Sequence, residues 1–145
     1  MASQAARITT WADHKNTYEA GLMSLFSGKP EETEADLQKL FTPDFTLRYA
    51  DPTDPTLWDL PAFIKHIRWL RDNAGSVNLT VVQWVRTGSQ LAERHTSTTT
   101  MPNGSAGNAE TFQFAEVAED GRIRWIVETV VREKTKKAKV EGESE

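Results

Sequence analysis

The sequence predicts an α+β domain, and three observations carry that reading. Two short helical patterns precede residue 42, a strongly amphipathic helix starts near Leu60, and almost everything after Gly75 reads as strand. The length of 145 residues suits about one domain and allows one sizeable core. Residues 1–9 lack any pattern and are expected to be a flexible arm, residues 10–132 form the domain, and residues 133–145 form a charged, disordered tail.

The elements follow in order. Thr10 and Asp13 resemble a capping pair, and Trp11, Tyr18, Leu22, Leu25 and Phe26 make a helical stripe that ends near Gly28 and Pro30. A second helix is expected from Thr33, burying Leu37, Leu40 and Phe41 and stopping at Pro43. Phe45 to Tyr49 alternates like strand, and Asp51-Pro52-Thr53-Asp54-Pro55 is a loop. The central helix carries apolar residues at 60, 63, 64, 67, 70 and 74, with Asp59 placed as N-cap and Pro61 in the first turn. Its core face is Phe63, Ile64, Ile67 and Leu70, which leaves Trp69 diametrically opposite, beside Lys65, Arg68 and Asp72. An indole there is expected to be covered, by another segment or by another chain.

Strands follow at Val77–Arg86, Leu91–Met101, Ala109–Ala118 and Ile123–Val131. Asp120-Gly121 between the last two signals a two-residue type I′ hairpin with Glu119 facing Arg122. Counting outward, Glu116 then meets Trp125, Phe114 meets Val127, and Gln113 meets Glu128. Gln113, Ala115 and Val117 share one face with Arg124, Ile126, Glu128 and Val130, and Phe112, Phe114, Trp125 and Val127 share the other. Both faces are apolar at their centre, so both are expected to be covered. An amide and a carboxylate side by side on a buried face cost free energy unless paired, and a desolvated carboxylate in a cavity is a natural acid or base.

Composition narrows the function classes. A net charge of -4 argues against nucleic acid as partner. With no cysteine there is neither a disulfide nor thiolate chemistry. No run approaches the ~20 apolar residues that span a bilayer, and no apolar signal segment opens the sequence, so a cytoplasmic location is expected. The tail's basic KTKKAK run is nearly cancelled by acidic neighbours. No His/Asp/Glu cluster has metal-ligand spacing, and neither a Gly-rich phosphate loop nor a G-x-S-x-G elbow occurs.

The order helix, helix, strand, long helix and four strands resembles the nuclear transport factor 2-like superfamily, which includes ketosteroid isomerase, SnoaL-like polyketide cyclases and scytalone dehydratase. LFTPDFTLRYADP, from Leu40, is similar to its strand-to-loop segment, and EDGRIRWIVETVV, from Glu119, to its final hairpin. The likeness covers about residues 10–132. It implies a cone-shaped, curved antiparallel sheet wrapped around the long helix, with a pocket at the wide end. It further implies frequent homodimers and acid–base chemistry without a cofactor. The isomerase's base falls on Tyr49 or Asp51, its oxyanion tyrosine on Tyr18 by a one-turn shift, and its protonated aspartate on Gln113. Glu128 falls on a pocket-lining position of the last strand, in agreement with the hairpin count.

The candidate catalytic residues are therefore Glu128, Arg48 and His95, and the candidate substrate-binding residues are Gln113, Tyr18, Tyr49, Asp51 and Ile126. Arg48 lies across its strand from Phe45, Leu47 and Tyr49, beside the loop that should rim the pocket, where it could hold an oxyanion or simply pair with Asp51. His95 points either into the cone or out of it; His66 flanks the stripe of its helix, and His14 has no partner nearby in sequence. Two function classes follow. One is a cofactor-independent isomerase, cyclase or dehydratase acting on a hydrophobic polyketide-, terpenoid- or steroid-like molecule. The other is a non-catalytic ligand-binding or dimerisation domain of the same fold, with a filled cone.

Overall fold

A computed structural model describes residues 6–133, so the charged tail expected from residue 133 onward lies outside the described residues except for Glu133. Helices α1 (Lys15–Ser27), α2 (Thr33–Leu40) and α3 (Leu60–Asn73) accompany strands β1 (Phe41–Tyr49), β2 (Leu57–Asp59), β3 (Ser76–Thr87), β4 (Gln90–Thr100), β5 (Ala106–Val117) and β6 (Ile123–Arg132). The strands form one curved, unclosed sheet in the order β2-β1-β6-β5-β4-β3. Every neighbouring pair is antiparallel except β1 with β6, so the expected antiparallel sheet is a mixed one. Across α3 the strands β2 and β3 run in the same direction, and the antiparallel succession from β3 to β6 then leaves β6 parallel to β1.

The central helix starts as its sequence demands. The Asp59 carboxylate accepts the Ala62 N–H at 2.9 Å, and Pro61 occupies the first turn, where its missing donor costs nothing. Phe63, Ile64 and Ile67 are buried against the concave side of the sheet, and Leu70 is half-buried. Arg71 shares that buried face, which the apolar count alone passes over although it lies four residues beyond Ile67. Its guanidinium donates to the carbonyls of Leu25 (2.7 Å), Ser24 (2.9 Å) and Lys29 (3.0 Å) and pairs with Asp36 at 2.9 Å. Arg71 therefore caps the last carbonyls of α1 and ties α1, α2 and α3 together. Gly28 makes this possible, since a Cβ there would sit about 2.5 Å from the guanidinium carbon.

Several local expectations are corrected. Thr10 makes no side-chain cap, and a 3₁₀ turn at Trp11–Asp13 precedes α1, which begins after an extended His14. Phe41 and Pro43 belong to β1, because α2 ends at Leu40 without needing the proline. The 120–121 turn is not type I′, which requires φ > 0 at both central residues: only Gly121 has it, at +93°. Instead the Gly121 N–H donates to Ala118 O, the Ala118 N–H donates to Arg122 O, and Arg122 pairs with Asp120 rather than facing Glu119. The pairing passes from Val117 with Ile123 to Glu116 with Trp125, so Arg124 is the extra residue of a β-bulge and points outward instead of sharing the inner face. Beyond the bulge the expected register is restored, including Gln113 opposite Glu128. At the other side of the turn, Ile8 and Thr9 N–H groups donate to Asp120 O, so the described part of the expected arm is pinned to the hairpin.

Among the described residues nothing covers the hairpin's outer face. Phe114 is 64 % exposed and Phe112 40 %, and Trp69 on α3 is 54 % exposed.

Candidate functional site

The sheet register builds the site. Cα partners run Trp84, Glu93, Gln113, Glu128 and Tyr49 across β3, β4, β5, β6 and β1, and the next inward row is Val81, His95, Thr111 and Val130. Because side chains alternate, both rows face the concave side and meet α1 and α3. Between sheet and helices lies a cavity of about 210 Å³. Leu22, Leu25, Phe26, Phe63, Ile67 and Leu70 form its helical wall. Its sheet side mixes apolar Leu47, Leu79, Ile126 and Val130 with polar Ser97, Thr99, His95, Thr111, Gln113 and Glu128. Such a cavity suits a mostly apolar molecule with one or two oxygens to orient.

Two hydrogen-bonded chains cross this floor. The Tyr18 hydroxyl, fully buried, donates to Gln113 Oε1 at 2.7 Å, and Gln113 Nε2 donates to Glu128 Oε2 at 3.0 Å. The direction is fixed by chemistry, since an ionised carboxylate only accepts and the amide must present its NH₂ there. On β4, His95 Nδ1 lies 2.7 Å from Glu93 Oε1, with the Glu93 side chain fully buried. Glu93 Oε2 is buried with no partner.

Desolvation dominates the electrostatics. Burial pushes the Glu128 carboxyl above the ordinary glutamate range, against the opposing pull of the Gln113 hydrogen bond and of His95 and Arg132. Burial pushes Glu93 up as well, with His95 opposing and the charge of Glu128 adding to the rise. The Tyr18 phenol is raised well above its usual value by burial and then by the two glutamates. It stays a hydroxyl, and its hydrogen is committed to Gln113. Burial and Glu128 also raise Tyr49.

The structure brings together Glu128, His95, Gln113, Tyr49 and Ile126 on the cavity wall, with Tyr18 directly behind Gln113. Tyr18 therefore supports the amide rather than offering an oxyanion contact of its own. Arg48 does not join them. It is exposed on the convex face, its Nη1 3.4 Å from Tyr49 O, because Leu47 and Tyr49 occupy the inward positions of β1. Asp51 is also outside, at the loop beside the mouth, where its carboxylate is taken by the Thr53 N–H (2.8 Å) and hydroxyl (2.7 Å). Two members of the site were not among the sequence candidates: Glu93, which went unread, and His66, which was noted only as flanking the stripe of its helix. Glu93 was detectable from the pattern Leu91, Glu93, His95, an i, i+2 series on one strand face. His66 lines the cavity half-buried and packs against Trp58 on β2 with ring centroids 4.7 Å apart, and burial lowers its proton affinity. Trp58 could not be placed because a three-residue strand after a proline-rich loop carries almost no periodicity. Among the described residues no cluster of His, Asp and Glu has the arrangement of a metal site.

Comparison with known proteins agrees with this architecture. The family model for the SnoaL-like domain matches residues 30–126. No curated protein sequence matches the chain. Among solved structures, IdmH of Streptomyces antibioticus, described as a candidate polyketide cyclase, is 21 % identical with a TM-score of 0.59, over 81 % of this chain and 92 % of that one. AusH of Aspergillus nidulans is 14 % identical with a TM-score of 0.62, over 77 % and 79 % of the two chains. A nuclear transport factor 2-like protein of Exiguobacterium sp. 255-15 is 19 % identical with a TM-score of 0.59, over 80 % and 98 %. At these identities the structures share the fold, while the family match spans more than half of the sequence. The chain belongs to the SnoaL-like domain family.

Proposed function

We propose that this protein is a small cofactor-independent enzyme that isomerises, cyclises or dehydrates a hydrophobic polyketide-, terpenoid- or steroid-like molecule by acid–base chemistry. The observation that carries the reading is Glu128, a carboxylate desolvated at the wall of an apolar-lined cavity and oriented by Gln113. In this mechanism a ligand carbonyl lies among the polar floor residues with its α-carbon against Glu128. The carboxylate takes the α-proton, the C–H electron pair moves to the carbonyl oxygen, and His95, two strands across on β4 and one inward row along the same concave face, supplies a hydrogen bond or proton there. Returning the proton to another carbon gives isomerisation; attack of the carbanion on a second carbonyl gives cyclisation; loss of a β-hydroxyl gives dehydration. The description of IdmH as a candidate polyketide cyclase supports this by likeness of fold.

Deuterium exchange at the α-carbons of 2-tetralone, 1-indanone and 5-androstene-3,17-dione tests the proposal without the natural substrate. The wild type should accelerate exchange of at least one, and Glu128→Gln should remove at least ~100-fold of that rate while keeping its fold. Equal rates in the folded variant would refute the role of Glu128. Binding seen by a change in tryptophan fluorescence with no acceleration would favour the non-catalytic alternative. For the assembly, we propose a homodimer that covers the outer sheet face around Phe112, Phe114 and Trp125, supported by the exposure of the two phenylalanines.

A further inference from the structure

We infer that Glu93 is a positioning residue: it holds His95 through Nδ1 so that the other ring nitrogen, Nε2, addresses the ligand, making the site bifunctional. The inference rests on the proton-transfer reading above and adds to it a second group with a defined direction.

The geometry carries the argument. Glu93 and His95 stand at i and i+2 of β4, so they share the concave face, with Cα atoms roughly 7 Å apart along the strand. The 2.7 Å contact from Nδ1 to Oε1 is the length of a charge-assisted hydrogen bond. Glu93 is not part of the cavity lining, whereas His95 is, so the carboxylate sits behind the ring and the ring faces the ligand. With Nδ1–H donated to the carboxylate, the neutral ring presents a bare Nε2; when protonated it presents an N–H donor, with the positive charge facing Glu93 on one side and Glu128 within electrostatic reach on the other. A buried carboxylate oxygen without a partner, Glu93 Oε2, is costly in a purely structural role. A Gln would fill the same space, hydrogen-bond to the ring and carry no charge. The charge is what a ring that must gain and lose a proton requires.

The groups also divide the work. Gln113 is the Cα partner of both Glu93 and Glu128, so it stands between the two carboxylates and spends its two ends on Tyr18 and Glu128. Glu93 is left to His95 alone. During turnover Glu128 takes a proton from carbon while His95 Nε2–H gives one to oxygen; Glu128 is then protonated and His95 neutral, and a proton passed back through water restores both. No oxidant or reductant is needed. A reaction that must protonate an oxygen, as in dehydration or aldol closure, uses both groups, and exchange at carbon also draws on His95 to stabilise the enolate oxygen.

The test begins with the ring nitrogens of the full chain, read by two-bond ¹H–¹⁵N correlation on ¹⁵N-histidine protein, where no ligand is required. The neutral His95 ring of the wild type should carry its hydrogen on Nδ1. In Glu93→Leu the hydrogen should move to Nε2, and kcat for exchange of the best probe ketone should fall by ~10-fold or more with KM changed less than threefold. Glu93→Gln, whose amide oxygen can still accept from Nδ1, should retain the tautomer and fall between the two in rate, and it serves in place of the leucine variant if that one does not fold. A wild-type ring with its hydrogen on Nε2 would overturn the inference, as would a folded Glu93→Leu protein with unchanged tautomer and kcat. Either result leaves the Glu128 test untouched, and failure of Glu128→Gln to slow exchange would not move the tautomer, so the two readings fail separately.

Discussion

At Glu128 and Glu93, the same burial that suits a carboxyl to carry a proton also costs stability. Both side chains have raised proton affinity in the fold. Between the ordinary glutamate value and the raised one, the folded state binds more protons than the unfolded state, so stability falls as pH rises through that window and stays lower above it. Glu128→Gln should therefore melt at or above the wild-type temperature at pH 8 and lose that advantage at pH 4. Thermal melts of the two proteins at both pH values check this, and a variant that is equally destabilised at both would contradict it. The Gln113–Glu128 pair was legible from sequence because strand alternation and a countable hairpin fix it. Arg48 was misassigned as a site residue although the same alternation already put it across the strand from Leu47 and Tyr49.

The elements differ in how plainly they could be read. The central helix was legible because cap, proline and apolar spacing agree. Truncating Phe63 to Ala should cost on the order of 3–5 kcal/mol by chemical denaturation, as expected for a large buried ring among Phe41 and Phe45. Arg71→Ala should cost about 3 kcal/mol or more, since it frees the α1 carbonyls that the guanidinium caps. A cost below about 1 kcal/mol for Arg71→Ala would show that water replaces those bonds. The final hairpin reached the right register at the site through a wrong turn type, since the bulge at Arg124 absorbs the one-residue difference. Gly and Asp between strands mark a turn strongly, but the choice between turn types also depends on what packs on the tip. Here that is the segment through Thr9, whose carbonyl a Cβ at Gly121 would overlap. Gly121→Ala, strained by both φ and this contact, should lower stability by about 1–3 kcal/mol.

For the whole molecule, the pattern of helices and strands was enough to assign the fold, while the cavity's contents depended on tertiary partners that sequence spacing does not list. Glu93 meets His95 within one strand, but Tyr18 meets Gln113 across 95 residues, and Trp58 and His66 meet only once β2 pairs with β1. The uncovered sheet face belongs to the same scale. Sedimentation at micromolar concentration should give a dimer mass, and Phe114→Asp should shift it to monomer with the fold kept; a monomeric wild type would remove the proposed assembly. The central claim, that Glu128 is a desolvated carboxyl facing a ligand cavity, is tested most directly by ¹³C NMR titration of its side-chain carboxyl carbon. The account predicts a midpoint above the usual glutamate value of about 4.3 and a further displacement of the signal when 2-tetralone fills the cavity. A carboxyl that titrates in the ordinary range and does not respond to the ketone would contradict it.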